Sequence, residues 1–142
     1  MLAGEMSGHI FFADRYFGFD DAIYAMVRVL EILEDDPTSI QQRLADVPVT
    51  HVTPEIRLAC SDTTKFAVVE AVKQHFERTH PVLTIDGARI DFGDGAWGLC
   101  RASNTGPVLV LRFEAPSKHI LQKMQSEVQA VVARAKQELS AA

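Results

Sequence analysis

The second half of the sequence changes between two apolar periodicities, and the order of these changes is the feature that most limits the fold. Apolar residues recur at strand-like spacing over 53–60, 83–92, 97–101 and 108–113. Helical spacing is found from Ser61 to about Phe76 and from about Ser117 to Leu139. The order strand, helix, hairpin, two strands and helix predicts an antiparallel sheet with helices packed on one face, an α+β architecture.

Local signals add detail to these elements. Ser61 and Asp62 are the expected N-terminal cap of the first helix. Asp86-Gly87 tolerates the positive φ angles of a type I′ turn and is the expected tip of the hairpin. The apolar face predicted for the first helix consists of Phe66, Val69, Val72 and Phe76. The stripe predicted for the final helix consists of Ile120, Leu121, Met124, Val128, Val131, Val132, Ala135 and Leu139.

The first part of the chain carries a shorter pattern of one strand and one long helix. Residues 8–13 are apolar and aromatic, which predicts a strand, and 20–33 have helical spacing with Asp20 as the expected N-cap. Apolar residues lie on more than one face of that helix, so we expect it to be covered from more than one side. After an acidic break with a proline, a short helix is expected over 40–44. A domain boundary is expected between about residues 35 and 50.

The composition excludes several classes of protein. With 47% hydrophobic and 23% charged residues the chain is not expected to be disordered, and a net charge of −5 argues against a general nucleic-acid binder. No apolar run approaches the ~20 residues of a membrane span, and we expect a cytoplasmic protein. Cys60 and Cys100 are expected as buried free thiols rather than as a disulfide. The five histidines are scattered without metal-ligand spacing, so no structural zinc is expected.

One polar segment, residues 101–107, interrupts two predicted strands. Arg101 offers a planar fork of donors that matches phosphate oxygens, and Ser103, Asn104 and Thr105 add neutral donors close by. Gly106 would allow backbone amides to approach a ligand. Two interpretations remain open from composition alone: an anion-binding loop, or a tight connection whose polar side chains satisfy turn backbone.

A second polar segment, residues 4–9, precedes the first predicted strand. A carboxylate at Glu5 can accept hydrogen bonds from hydroxyl groups, Ser7 can donate and accept, and His9 can move a proton near neutral pH. Glycines on both sides would let the loop fold closely around a ligand. The alternative is a flexible N-terminus that leads into a strand, with His9 as an ordinary surface histidine.

Both segments resemble signatures of the bacterial phosphomannomutase/phosphoglucomutase type, in the alpha-D-phosphohexomutase family. The stretches that carry the resemblance are 4–12, 15–21, 97–105 and 107–115. Thr53-Pro54-Glu55-Ile56-Arg57 and Asp86-Gly87 also sit where that family has them. The resemblance spans nearly the whole chain, and two long motifs at the right separation are highly specific.

The resemblance implies an activity and a division of roles. That family interconverts hexose 1-phosphate and hexose 6-phosphate by means of a phosphoserine. Glu5 and Ser7 would contact sugar hydroxyls, with His9 near the reacting hydroxyl as a candidate general acid/base. The phosphate that is not transferred would be held by Arg101, Ser103, Asn104 and Thr105.

The resemblance also implies a division of the chain. Residues 1–36 correspond to the end of the sugar-binding α/β domain 3, 37–50 to a linker, and 51–142 to the phosphate-binding domain 4. Domain 4 has a fold similar to that of the TATA-box-binding protein. In this sequence Asp94-Gly95-Ala96-Trp97 is one residue longer than the usual Asp-Gly-Trp of the family.

Two family loops are absent from the sequence: the Thr-Ala-Ser-His-Asn-Pro-like serine loop and the Asp-Gly-Asp-Gly-Asp-Arg-like magnesium loop. We therefore expect no cofactor in this chain, with magnesium bound by other domains of an intact enzyme, and no mutase activity of the chain alone. The expected partners are a phosphorylated hexose and the N-terminal domains of the same enzyme, with neither nucleic acid nor membrane. Self-association, or folding of this segment back onto the second half of the chain, is expected to mask the apolar helix. The chain is interpreted as a fragment of such an enzyme; the alternative is a stand-alone, non-catalytic phosphosugar-binding module.

Overall fold

The structure, a computed structural model, describes residues 1–5, 7–35 and 38–140. The chain divides into two compact units, Met1–Val47 and Pro48–Ala142. Each unit has its own strands and helices. Within the described residues no helix is long and apolar enough to cross a membrane.

The first unit begins with an antiparallel hairpin. Strand β1, Leu2–Gly4, pairs with β2, Ile10–Phe12, so that Ala3 lies opposite Phe11. Helix α1 spans Ala22–Asp35 and helix α2 spans Ile40–Arg43. The strand predicted over 8–13 and the short helix predicted over 40–44 are confirmed within a few residues, whereas β1 was not predicted.

The N-terminal cap of α1 is Asp21, and the prediction of Asp20 was wrong. Asp21 Oδ1 accepts hydrogen bonds from the backbone N–H groups of Ile23 and Tyr24, at 3.0 and 2.9 Å. The backbone of Asp20 instead pairs with that of Phe11 in an isolated antiparallel bridge, so Asp20 extends the pairing of β2 and does not cap the helix. The helix therefore starts one residue later than its spacing suggested.

Only one side of α1 is covered in this unit. Tyr24 packs edge-on against Phe12 of β2 and stacks on Tyr16, with ring centroids 5.6 and 3.9 Å apart. The apolar side chains on the remaining surface are exposed by 44–74%; they are Ile23, Met26, Val27, Val29, Leu30 and Ile32. The expected cover from a second side is not found in the described residues, and the expected self-association stays a prediction.

The second unit is an antiparallel sheet with two helices on one face, and the predicted α+β class is confirmed. Its elements in chain order are β3 (His51–Val52), β4 (Ile56–Ala59), α3 (Lys65–Phe76), β5 (Val82–Leu83), β6 (Ala88–Gly93), β7 (Ala96–Ala102), β8 (Val108–Ala115) and α4 (Lys118–Ser140). The strand order is β3-β8-β7-β6-β5, and β4 also pairs with β8. Both cysteines are buried and free, as predicted.

The core lies between the sheet and the helices α3 and α4. Strand β8 points Leu109, Leu111 and Phe113 into it, and all three side chains are fully buried. The residues that β7 turns to the same face are all small: Ala96, Gly98, Cys100 and Ala102. At Gly98 an added Cβ would lie 2.8 Å from a ring carbon of Phe113, so the neighbouring strand fills this space.

The predicted inner face of α3 was wrong at one position. Lys65 is 5% exposed and begins a buried stripe that continues through Val68, Val69, Val72 and Phe76. Phe66 is 60% exposed, because it lies one residue, or about 100°, around the helix from Lys65. The stripe predicted for α4 is buried at most positions, although Ile120 is 38% exposed.

The hairpin tips also differ from the prediction. The predicted hairpin is confirmed, because β5 pairs antiparallel with β6 and Asp86-Gly87 lies in the connection between them. That connection has four residues, since β5 ends at Leu83 and β6 begins at Ala88, so the predicted two-residue turn at Asp86-Gly87 was wrong. The structure places the type I′ geometry at the next Asp-Gly pair, where Asp94 and Gly95 have φ angles of +51° and +78° and join β6 to β7.

Candidate functional site

The polar segment after β7 forms a short loop between the two longest strands of the sheet. Arg101 and Ala102 end β7, β8 starts at Val108, and the Ser103 N–H donates to Val108 O at 3.0 Å. Within the loop the Thr105 N–H donates to Ser103 Oγ at 3.2 Å, and the two hydroxyl oxygens are 3.3 Å apart. Strand pairing on both sides therefore fixes where the hydroxyl groups of this loop lie.

Arg101 is held by the turn that precedes β6. Its guanidinium donates to Asp86 Oδ2 at 3.0 Å, and 38% of its side chain is exposed. Gly87, with φ +88°, lies directly against β7: an added Cβ would be 2.5 Å from the Cys100 carbonyl oxygen and 2.7 Å from Arg101 Cβ. The Asp86-Gly87 pair thus contacts both the backbone and the side-chain charge at the start of the loop.

Lys65 holds the same loop from inside the protein. Its Nζ donates to the backbone carbonyl oxygens of Ser103 and Gly106, at 2.6 and 3.1 Å, and to Asp62 Oδ1 at 2.6 Å. Sequence reasoning missed Lys65, because a lysine in the first turn of a predicted helix is normally solvated. Asp62 is three residues away, but the two partners in the loop lie 38 and 41 residues away in the chain, so no local signal could have indicated them.

A depression of about 370 Å³ lies beside the loop. Asn104 lines it together with Asp86 and Gly87, and Phe66 and Lys73 of α3 form part of its wall. The exposure of Phe66 is explained by this position. A space of this size can hold several water molecules or a small anion with its hydration shell.

The other polar segment forms the closed loop of the first hairpin. The Glu5 N–H donates to His9 O at 2.9 Å, and Gly8 adopts a φ of +90° that suits glycine. Ser7 Oγ donates to a Glu5 carboxylate oxygen at 3.1 Å, and His9 Nδ1 lies 2.5 Å from Asp20 Oδ2. All four side chains are exposed, so the loop presents a carboxylate, a hydroxyl and an imidazole to solvent.

The turn that carries Asp20 is fixed by charged hydrogen bonds. Arg28 donates to Asp14, which holds the pKa of that carboxyl at about 2, below its ordinary value of 3.8. The Tyr16 hydroxyl donates to Asp21, and together with the backbone N–H of Tyr24 it lowers the pKa of that carboxyl. Both carboxylates are ionised at neutral pH, which favours the turn that leads into α1.

The predicted site residues fall into two groups, one in each unit. Glu5, Ser7 and His9 share the hairpin loop of the first unit, while Arg101, Ser103, Asn104 and Thr105 share the loop of the second. Asp20, Asp86 and Lys65 are additional partners that the sequence did not reveal. In the part of the chain that the structure describes, no group of three or more His, Cys, Asp or Glu side chains could hold a metal ion.

Comparison with known proteins relates both units to one family. Residues 55–131 match the family described as phosphoglucomutase/phosphomannomutase, C-terminal domain, and residues 1–50 match phosphoglucomutase/phosphomannomutase, alpha/beta/alpha domain III. The phosphomannomutase/phosphoglucomutase of Pseudomonas syringae pv. tomato is 50% identical over 126 residues, which is 88% of this chain and 27% of that protein. The phosphoglucomutase of Neisseria meningitidis serogroup A is 45% identical over 137 residues, which is 93% of this chain and 29% of that protein.

A solved structure is similar along most of the chain. The crystal structure of a phosphoglucomutase/phosphomannomutase family protein from Burkholderia thailandensis matches with a TM-score of 0.76 and 39% sequence identity. The match covers 95% of this chain and 28% of that one. The chain therefore spans less than a third of the length of these relatives.

Proposed function

Because this chain belongs to the phosphoglucomutase/phosphomannomutase family and corresponds to a C-terminal portion of its members, we propose that it is the phosphosugar-binding part of a phosphohexomutase. The reaction would interconvert hexose 1-phosphate and hexose 6-phosphate. In this proposal the second unit binds the phosphate that is not transferred, and the hairpin loop of the first unit binds the sugar hydroxyls. The predicted division into residues 1–36, 37–50 and 51–142 is part of the same proposal.

The observation that carries the proposal is the construction of the loop after β7. Arg101, still part of a central strand, presents a partly exposed guanidinium at the start of a loop that contains the Ser103 and Thr105 hydroxyls. A guanidinium with neighbouring hydroxyl and amide donors suits a phosphate dianion. A phosphate bound far from the reacting bond would orient the other end of the sugar and so convert binding energy into rate.

The hairpin loop supplies groups suited to a sugar and to proton transfer. Glu5 and Ser7 already share a hydrogen bond, and sugar hydroxyls could replace either partner. Asp20 lies beside His9 Nδ1, an arrangement in which the carboxylate fixes the ring and leaves Nε2 available to a substrate hydroxyl. We therefore assign His9 as the candidate general acid/base and Asp20 as the group that orients it.

The phosphoryl donor and the metal belong elsewhere in this proposal. A magnesium ion prefers oxygen ligands in near-octahedral geometry, and the described residues offer no cluster that fits it. The resemblance assigns magnesium and the phosphoserine to other domains, so we propose that the chain acts only together with them. No step of the reaction is assigned to a metal held by this chain.

The second candidate function is a stand-alone phosphosugar-binding module without catalysis. It is favoured by one observation: the loop after β7, with Asp86, Lys65 and the other groups that hold it, lies within the second unit, which has its own core. The two candidates differ in activity. A chimera in which this chain replaces the matching C-terminal part of the Pseudomonas syringae relative would interconvert the two hexose phosphates under the first proposal, and would be inactive under the second.

Calorimetric titration of the chain with glucose 1-phosphate tests the binding role. Replacing Arg101 with alanine should cost about 2–5 kcal/mol of binding, because it leaves a phosphate charge partly unpaired. Arg134→Ala is the matched control, since it makes the same charge change on the exposed surface of α4. Glucose without phosphate should not compete. Equal affinities of the Arg101 and Arg134 variants would contradict the proposal.

A further inference from the structure

We propose that Lys65 is a positioning residue that fixes the loop after β7 in its anion-binding conformation without touching the anion. The anion-binding part of this inference rests on the proposed function; the fixing of the loop does not. Lys65 opens α3, and its ammonium group lies inside the protein, below residues 103–106.

The hydrogen bonds of Lys65 account for its whole donor capacity. An ammonium group has three N–H donors and no acceptor. Here the three donors match three acceptors: the carbonyl oxygens of Ser103 and Gly106, and one carboxylate oxygen of Asp62. Two of the three acceptors are the first and fourth residues of the five-residue loop between β7 and β8, so the lysine holds these two positions of the loop close together.

This tie determines which groups the loop can present to a ligand. The carbonyl oxygens of Ser103 and Gly106 would repel a phosphate if they faced it, and the buried ammonium draws both of them inward. The hydroxyls of Ser103 and Thr105 and the side chain of Asn104 remain available. The charge of Lys65 is paired with Asp62, so its contribution to the site is geometric rather than a direct attraction for the anion.

A buried lysine could also stabilise the second unit in general, and the test must separate the two roles. Two backbone hydrogen bonds report on the loop: the Ser103 N–H donates to Val108 O, and the Val108 N–H donates to Gly106 O. If Lys65 fixes the loop, its removal should increase hydrogen exchange at these two amides. The amides of Leu111 and Phe113 in the core of β8 should keep their rates. A general loss of stability would accelerate the two core amides at least as much as the two loop amides.

The experiment compares Lys65→Met with Lys136→Met in the full chain. Lys136 is a matched control, since its Nζ also donates to a backbone carbonyl, that of Ala59, which lies outside the loop. Both variants remove one positive charge, so an effect of net charge would be equal in the two. We expect at least about tenfold faster exchange at Ser103 and Val108 in Lys65→Met only. We also expect at least about tenfold weaker binding of glucose 1-phosphate, equivalent to about 1.4 kcal/mol.

Several results would overturn the inference. These are unchanged loop exchange in Lys65→Met, acceleration of the loop and the core of β8 by the same factor, and equal affinity of Lys65→Met and Lys136→Met for glucose 1-phosphate. If the unaltered chain does not bind glucose 1-phosphate, the proposed function fails, and the exchange rates alone decide whether Lys65 fixes the loop.

A measurement without substitution covers the case in which Lys65→Met does not fold. The ammonium protons of Lys65 in the unaltered chain should exchange slowly enough to give a nitrogen-correlated nuclear magnetic resonance signal. Those of the exposed Lys123 should be averaged with water. A Lys65 signal averaged like that of Lys123 would overturn the inference.

Discussion

Replacing Gly87 with alanine should destabilise the second unit by more than its backbone conformation alone requires. An alanine at φ +88° costs about 1–2 kcal/mol from left-handed strain. The new Cβ would also lie 2.5 Å from the Cys100 carbonyl oxygen and 2.8 Å from Arg101 Cα, and both are backbone atoms of a central strand. Displacing packed structure costs about another 1–3 kcal/mol. We therefore expect a total loss of about 2–5 kcal/mol.

The matched control for this substitution is Gly95→Ala. Gly95 has a similar φ of +78°, but nothing lies within 4 Å of the position of an added Cβ, so only the strain of about 1–2 kcal/mol should remain. Trp97 is the only tryptophan of the chain and lies in β7, so its fluorescence during thermal unfolding reports on the second unit. For a unit of this size each kcal/mol shifts the midpoint by about 4–8 °C. Equal midpoint shifts for Gly87→Ala and Gly95→Ala would refute the reasoning, because the two sites share the strain but not the collision.

Two further predictions concern the first unit. Because the pKa of Asp14 is about 2 in the folded chain and 3.8 ordinarily, its stabilising effect is complete above about pH 4 and is lost as the pH falls towards 2. Both tyrosines of the chain lie in this unit, and their ring resonances should shift to unfolded values over that pH range. In Asp14→Asn the shift should be more gradual with pH. An equally steep change in that variant would show that Asp14 is not the group responsible. The exposed side of α1 should cause concentration-dependent association in sedimentation velocity. Leu30→Glu should weaken this association and Leu83→Glu, at an equally exposed site of the second unit, should not; equal effects would place the contact elsewhere.

The longest apolar patterns predicted the second unit well. Strands β7 and β8 and helix α4 have enough residues for a period to be recognised, and all three lie where the sequence indicated. Strand β1 has only three residues, Leu2–Gly4, and its partner strand rather than its own pattern makes it a strand. Short elements of this kind depend on pairing, which a single sequence does not display.

The errors arose where a long-range contact outweighed a local preference. Phe66 was predicted to be buried because it is large and apolar, but the inward position next to it is taken by Lys65, whose acceptors lie about 40 residues away. Asp86-Gly87 was predicted to form a two-residue turn, but the connection has four residues and the pair lies against Arg101 on β7. In both cases the residue that decided the outcome lies next to the loop after β7: Lys65 donates to its carbonyl oxygens, and Arg101 precedes it at the end of β7.

The candidate site was only partly accessible to sequence reasoning. The residues of the two polar loops were identified from their chemistry and from the resemblance to known signatures. The supporting roles of three residues could not be identified in this way: Asp20 was predicted only as a helix cap, Asp86 only as a turn residue, and Lys65 was given no role. Only the folded chain places a carboxylate against His9, a carboxylate against Arg101 and an ammonium beneath the loop.

The small side chains on the buried face of β7 determine which parts of this unit tolerate substitution. This face, against which the helices pack, consists of Ala96, Gly98, Cys100 and Ala102. A larger residue at Gly98 would collide with the ring of Phe113. In the loop at the end of the strand, by contrast, the side chains of Asn104 and Thr105 are exposed. To make this unit bind a different anion, residues of the loop after β7 should therefore be varied and the small buried residues of β7 kept.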